Sequence, residues 1–158
     1  MSRPQKKVLI LALPETAGSA LYGMVDVLSA TGNIWQTLVG HESPSKPFDV
    51  QIVSVDSKPF RCGHGIPVEP AYPIADAPAS DILILPEIWL GPQEVISDRY
   101  DGLMDWIKLR FRSGTTIYSA CSGSVLLAES GLLDNCEATS HWGYQELFRM
   151  HYPKVRFR

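Results

Sequence analysis

The chain has 158 residues, a formal net charge of −3, 45% hydrophobic residues and 20% charged residues. This length suits one domain with its own core, and the composition excludes a disordered chain. The acidic balance argues against a domain that grips nucleic acid through a basic face. The apolar runs are far shorter than the ~18 residues of a spanning helix, and no signal-peptide cleavage site follows the basic start, so we expect a soluble cytoplasmic domain without membrane contact.

The cysteines point away from structural metal or disulfide chemistry. Cys62, Cys121 and Cys136 are odd in number and widely spaced, with no C-x-x-C pair. No glycine-rich phosphate loop of a nucleotide-binding type occurs either. We therefore expect neither a bound metal nor a cofactor, although one cysteine can still be a reactive thiol.

Strand-length apolar runs alternate with helix-length segments along the chain. Strands are predicted at 7–13, 48–55, 81–85, 115–120 and 155–157. Helices are predicted at 21–31, 100–112, 122–129 and 142–151, the last capped by Thr139 or Ser140. Loops are predicted at 41–46 and at 58–73, the second with an extended piece at 66–69. This order predicts a doubly wound α/β sandwich with a parallel central sheet.

The end of the sequence indicates a longer protein. The segment 155–157 reads as the beginning of a strand, and the chain stops at Arg158. We therefore expect residues 1–158 to form one domain that lacks its C-terminal strand and helix.

The segment around Cys121 has the pattern of a nucleophile elbow. A buried strand leads into Ala120-Cys121-Ser122-Gly123, and a helix follows at once. Small neighbours are needed because a sharp strand-to-helix turn is crowded, and the start of a helix favours a thiolate. The alternative is a buried structural cysteine at a strand end.

These residues also resemble a known family. The segments 119–124, 126–134 and 138–142, with supporting pieces at 21–28, 65–68 and 81–86, resemble the ThiJ/PfpI superfamily, which has the class I glutamine amidotransferase-like fold. The match is closest to the branch that forms the N-terminal domain of AraC/XylS-type transcriptional regulators. The resemblance covers nearly the whole chain.

The resemblance implies a nucleophilic Cys121 with His141 as a nearby partner, but two of the family's catalytic features are missing. Related hydratases carry a carboxylate shortly before the first helix, where this chain reads Gly-Ser-Ala-Leu at 18–21. Enzymatic relatives usually have Pro-Gly-Gly after the fourth strand, where a backbone N–H serves as oxyanion donor; here Pro86-Glu87-Ile88-Trp89 stands instead. His141 can equally be a cap or a packing residue.

Several neighbours of Cys121 are candidate ligand contacts. Glu87 can replace the missing acid, or it can be an exposed loop carboxylate. Ser19 can hydrogen-bond the thiol, and Trp89 can line a pocket. The candidate ligand-binding set is Cys121, Ser122, His141, Ser19, Glu87 and Trp89.

Two functions remain open from the sequence. The resemblance implies a ligand-sensing domain of an AraC-type regulator, which binds a small metabolite near Cys121, forms a homodimer and contacts DNA only through a helix-turn-helix domain beyond Arg158. The alternative is a separate cysteine-nucleophile enzyme, such as a hydratase, an amidase or a glyoxalase-like hydrolase. The missing acid and glycines favour the sensor, and the helix 21–28 or Trp35 is the expected dimer interface.

Overall fold

The computed structural model describes residues 4–40, 45–96 and 99–158. The strands are β1 (Lys6–Leu11), β2 (Phe48–Ser54), β3 (Phe60–Cys62), β4 (Ile66–Val68), β5 (Tyr72–Pro73), β6 (Ile82–Leu85), β7 (Thr116–Ser119), β8 (Glu137–Ala138) and β9 (Arg156–Phe157). The α-helices are α1 (Gly18–Ala30), α2 (Ile34–Leu38), α3 (Leu103–Arg112), α4 (Ser124–Glu129) and α5 (Gln145–His151). Single 3₁₀ turns lie at Gly63–Gly65, Ile74–Asp76, Cys121–Gly123 and Trp142–Tyr144.

A five-stranded sheet forms the centre of the domain, in the order β5-β2-β1-β6-β7. All four pairings in it are parallel, with Val8 opposite Val50 on one side and opposite Ile82 on the other. The apolar run of β1 therefore lies in the middle of the sheet, as expected for a strand that is buried on both faces.

Helices cover both faces of this sheet. Alternate residues of β1 point to opposite faces, so they pack against different helices. Val8 and Ile10 pack with Leu21 of α1. Leu9 and Leu11 belong to the larger cluster, which also includes residues of α3, α4 and α5. The predicted α/β sandwich with a parallel central sheet is confirmed.

The observed elements differ from the predicted ones mainly in segments rich in glycine and proline. The extended piece predicted at 66–69 is confirmed as β4, but the 58–73 loop also contains β3, which pairs antiparallel with β4 in a hairpin that turns at His64 with φ 60°. The predicted helix 100–112 begins only at Leu103, because Gly102 precedes it with φ 74°. The short helix α2 was not predicted, and it has no buried residue.

Three further corrections concern the helix starts and the chain end. The first helix begins at Gly18 rather than at 21. The segment 142–151 divides into a 3₁₀ turn and α5, and its cap is His141, whose side chain accepts a hydrogen bond from the Gly143 amide, rather than Thr139 or Ser140. The strand at 155–157 is β9, which pairs with β8 outside the central sheet. Most of the predicted 41–46 loop lies outside the described residues.

No helix in the three described ranges is both long and apolar enough to cross a membrane.

Candidate functional site

The strand β7 runs directly into a sharp turn that carries Cys121. Cys121 has φ 51°, a left-handed backbone conformation that is uncommon for a residue with a side chain, and its side chain is exposed. Gly123 makes the turn possible: a Cβ there would lie 2.2 Å from the Leu85 carbonyl oxygen at the end of β6. The strand–turn–helix geometry predicted from the small residues is therefore present.

The thiol of Cys121 faces a carboxylate. Its Sγ lies 4.0 Å from Oε1 of Glu87, a half-buried residue in the loop that follows β6. Within the described residues this is the only hydrogen-bond partner of the thiol. The carbonyl oxygen of Cys121 accepts hydrogen bonds from the hydroxyls of Ser124 at 2.8 Å and Ser140 at 3.3 Å. The turn is thereby joined to the segment that precedes His141.

The loop at 86–90 is held along one side by the backbone of the β1–α1 connection. The amide of Ala17 donates to the Glu87 carbonyl at 2.9 Å, and the amide of Trp89 donates to the Glu15 carbonyl at 2.7 Å. Thr16 and Ile88 form the antiparallel bridge between these two bonds. This side of the loop is thus paired as in a short two-stranded sheet.

Two hydroxyl groups hold the other side of the same loop. Ser122 Oγ accepts from the Ile88 amide at 3.0 Å and donates to the Ile88 carbonyl at 2.6 Å. The Tyr144 hydroxyl accepts from the Leu90 amide at 3.3 Å and donates to the Leu90 carbonyl at 2.9 Å. Each hydroxyl therefore makes, to the amide and the carbonyl of one residue, the pair of hydrogen bonds that a neighbouring strand would make in a sheet.

This double anchoring has a chemical consequence. The amides of Ile88, Trp89 and Leu90 all donate to groups of the protein itself. An oxyanion hole needs amides that are free to point at a developing negative charge. These three amides are not free, in the loop where the resemblance led us to look for such a donor, whereas the Glu87 amide makes no hydrogen bond within the described residues.

Two histidine–tryptophan ring pairs involve Trp89 of the 86–90 loop and the segment that follows Ser140. Trp89 is 56% exposed, and the ring of His64 meets it edge-on with centroids 4.9 Å apart. The ring of His141 lies 5.2 Å from that of Trp142. His141 Nδ1 accepts from the Gly143 amide at 3.2 Å, so the neutral ring carries its proton on Nε2.

The predicted site residues fall into three groups. Cys121 and Glu87 are in contact, and the segment of His141 is tied to the Cys121 carbonyl through Ser140. Ser122 is buried, and its hydroxyl is used by Ile88, so it shapes the loop from inside. Ser19 is exposed and lines an apolar groove beside α1, and within the described residues its hydroxyl makes no hydrogen bond to the thiol.

The sequence did not reveal the positioning role of Tyr144, and it assigned Ser140 to a helix cap. It also gave no role to Glu15, which lies shortly before α1, where related hydratases carry their carboxylate. Glu15 accepts hydrogen bonds from Tyr100 at 2.5 Å and Arg99 at 2.7 Å. Burial raises the pKa of Tyr100 well above its usual range, and the bond to Glu15 raises it further. The Glu15 carboxylate is therefore occupied by Arg99 and Tyr100 and is not available to the thiol.

In the described parts of the chain, no group of three histidine, cysteine, aspartate or glutamate side chains is placed to hold a metal ion.

The parallel sheet, the cysteine at the end of its edge strand and the left-handed turn define an α/β domain with a cysteine elbow. The chain belongs to the DJ-1/PfpI family, whose model matches residues 6–154.

Relatives with different functions share this domain. The chain is 26% identical over 138 residues to an isonitrile hydratase of Pseudomonas putida, a match that covers 87% of this chain and 53% of that protein. It is 29% identical over 104 residues to the HTH-type transcriptional regulator CdhR of Pseudomonas aeruginosa, covering 66% of this chain and 30% of the regulator. The chain thus spans about half of the first relative, at 53%, and under a third of the second, at 30%.

A solved structure shares the fold over almost the whole chain. The AraC family transcriptional regulator of Pseudomonas putida superposes with a TM-score of 0.68 and 17% identity, and the match covers 98% of this chain and 76% of that one.

Proposed function

We propose that this chain is the ligand-sensing N-terminal domain of an AraC-type transcriptional regulator. It binds a small metabolite beside Cys121 without converting it, and it passes the signal to a helix-turn-helix domain that follows Arg158. It works in the cytoplasm as a homodimer. The regulator relatives support this role, and one observation on the site carries it.

That observation is the use of the loop amides at 88–90 by the protein itself. Removing one oxyanion donor from an enzyme typically costs about 10²–10³ in turnover. A site whose neighbouring loop offers no free amide at these positions suits binding better than acyl or addition chemistry. The exposed thiol, the Glu87 carboxylate and the indole of Trp89 still offer a ligand polar and aromatic contacts.

Ligand binding beside Cys121 is tested by protection from alkylation. A panel of small metabolites is screened for thermal stabilisation, and each hit is then added before a limiting amount of a thiol-alkylating probe. We expect a true ligand to slow labelling of Cys121 and to leave Cys136 unchanged, since both thiols are exposed. Equal protection of the two thiols, or stabilisation that survives when Glu87→Gln and Trp89→Ala are combined, contradicts the proposed site.

The helix-turn-helix domain is tested on the full reading frame. About 100 further residues with two helix-turn-helix units are expected after Arg158, and the long protein should bind DNA with the salt dependence of several phosphate contacts. Residues 1–158 alone should not bind duplex DNA. The basic side chains of α3 support this, because Lys108 pairs with Asp105 and Arg110 donates to the carbonyls of Pro78 and Ala77.

The proposed dimer contact lies on α2. Trp35 is 68% exposed and Leu38 is 75% exposed on this helix, whereas the other expected interface, the helix 21–28, keeps Leu21 fully buried and exposes Val27 at 65%. Sedimentation of the wild-type chain and of Trp35→Glu tests this contact. We expect the wild-type chain to be a dimer and Trp35→Glu to be a monomer. If the wild-type chain is also a monomer at high concentration, the proposed dimer is wrong.

A second function, hydration by a nucleophilic Cys121, is favoured by one distance. Glu87 Oε1 lies 4.0 Å from Sγ, so a carboxylate from a different loop stands where the thiol can use an acid. Incubation with a simple isonitrile and detection of the formamide tests it. Turnover that is lost in both Cys121→Ser and Glu87→Gln would refute the sensor role; we expect none above the uncatalysed rate.

A further inference from the structure

The tip of the β3–β4 hairpin reaches the 86–90 loop. The amide of Gly63 donates to the Thr16 carbonyl at 3.0 Å, and a Cβ on Gly63 would lie 3.8 Å from Cδ1 of Trp89. The ring of His64 meets that of Trp89 edge-on, with an interplanar angle of 85°. Because Thr16 pairs with the 86–90 loop on its other side, the indole of Trp89 spans the β1–α1 connection to reach the hairpin tip.

The hairpin is a firm support for this contact. Cys62 is buried in the core cluster that also contains residues of β1 and α1. Ile66 packs so closely on the start of α1 that a Cβ on Gly18 would clash with its Cδ1. Arg61 Nη1 donates to the Gly65 carbonyl at 2.6 Å and closes the turn. The tip is therefore fixed from below, and it can hold an indole in one place.

His64 is not the residue that this turn prefers. It has φ 60° and Gly65 has φ 79°, a pair of left-handed conformations that is typical of tight hairpin turns. Asn-Gly is the preferred sequence for such a pair. An asparagine would therefore serve the backbone as well as His64 does, but it would lack the ring that contacts Trp89.

The backbone of Trp89 is fixed, so only side-chain rotation can move its ring. Its amide donates to the Glu15 carbonyl, and hydroxyl groups bond the residues on either side of it. Rotation about χ1 has three staggered positions about 120° apart. The observed position places the indole on the hairpin side of the loop, whereas Ser122 of the cysteine turn bonds the loop on the opposite side.

We propose that His64 is a positioning residue of the ligand site: its ring holds the Trp89 indole on the hairpin side and so keeps the approach to Cys121 open. This inference rests on the proposed function, which places the ligand beside Cys121. Without the ring of His64, the exposed indole turns to another χ1 position, on the side of the Cys121–Glu87 pair, where it buries apolar surface. His64 thus acts through Trp89 on the size of the molecule that reaches the thiol.

The test measures how fast Cys121 reacts with a small alkylating probe, iodoacetamide, and with a bulky one, fluorescein-5-maleimide. In His64→Asn we expect the bulky probe to label Cys121 at least about twofold more slowly, because an aromatic contact shifts a rotamer equilibrium by about two- to tenfold. Iodoacetamide should be slowed less, since it needs less space. Cys136, which is also exposed, is the internal control and should react as in wild type with both probes.

The deciding variant combines His64→Asn with Trp89→Ala. If His64 acts by holding the indole, removal of the indole restores fast labelling, and Trp89→Ala and the double variant react alike. His64→Asn should keep the melting temperature of wild type, because asparagine suits the turn. Equal rates of the bulky probe in wild type and His64→Asn overturn the inference, as does slowing that persists in the double variant.

These rates are measured without a metabolite, so they separate this inference from the proposed function. If labelling follows the expected order but no metabolite protects Cys121, the positioning role of His64 stands and the sensor site is contradicted. If a metabolite protects Cys121 but labelling does not depend on His64, the sensor site stands and the positioning role is wrong.

Discussion

The hydroxyl of Ser122 should matter more for stability than its size suggests. Ser122 is 1% exposed, and its Oγ bonds both the amide and the carbonyl of Ile88. Ser122→Ala removes one oxygen atom and leaves two buried backbone groups of Ile88 without their partner. An unsatisfied buried polar group costs about 1–3 kcal/mol.

We expect Ser122→Ala to lower the free energy of unfolding by about 2 to 3 kcal/mol, since the two lost bonds share one oxygen. In a domain of this size that corresponds to a fall of about 4 to 12 °C in melting temperature. Urea denaturation measures the free energy, and a thermal melt followed by circular dichroism measures the temperature. The slope of the urea transition should stay unchanged, because the same surface is exposed on unfolding.

The matched control is Ser113→Ala. Ser113 is an exposed serine whose hydroxyl bonds a single helix carbonyl, that of Leu109. Its removal should change stability by less than about 0.5 kcal/mol. If Ser122→Ala costs no more than this control, then water replaces the hydroxyl at Ile88, and the anchoring of the loop as we describe it is wrong.

Three further changes probe the same architecture. Gly123→Ala should cost about 3 kcal/mol or more in a urea titration, because its Cβ meets backbone at 2.2 Å, whereas Gly23→Ala, with open space around it, should be neutral or stabilising. Tyr144→Phe should cost about 1 to 3 kcal/mol, since it removes both bonds to the loop. The Lys6 ammonium lowers the pKa of Asp81, so Asp81→Asn should be less stable than wild type at pH 7, and the two should converge as the pH falls below about 3.9. A difference that persists in acid would assign the effect to packing.

The sheet was predictable because its strands carry their own signal. The apolar run of β1 is buried on both faces, and the small residues at 120–123 predicted the turn around Cys121. Such local patterns depend on neighbours in sequence. Elements that depend on tertiary contacts were found only in part: the extended piece predicted at 66–69 is β4, but its pairing with β3 in a hairpin was missed, because the glycine- and proline-rich sequence is typical of a loop.

The candidate site was predictable only in part. Glu87 came from a substitution at a position of known importance in the family, and the structure brings it to Cys121. Tyr144 could not be found in this way, because its hydroxyl reaches a loop that lies 54 residues earlier in the chain. The sequence around a buried tyrosine at the start of a helix does not indicate which backbone group its hydroxyl will bond.

The anchoring of the 86–90 loop bears on how this site can evolve. Ser122 and Tyr144 bond the backbone of Ile88 and Leu90, whose side chains are buried. The side chains of Glu87 and Trp89, which alternate with these two, take no part in that anchoring: Glu87 faces the thiol and Trp89 is exposed. If the proposed ligand binds here, mutation at these two positions can alter its recognition while the backbone of the loop keeps its shape. In the proposed sensor role, substitutions at these two positions alone can change the ligand to which the domain responds, without a compensating change in its core.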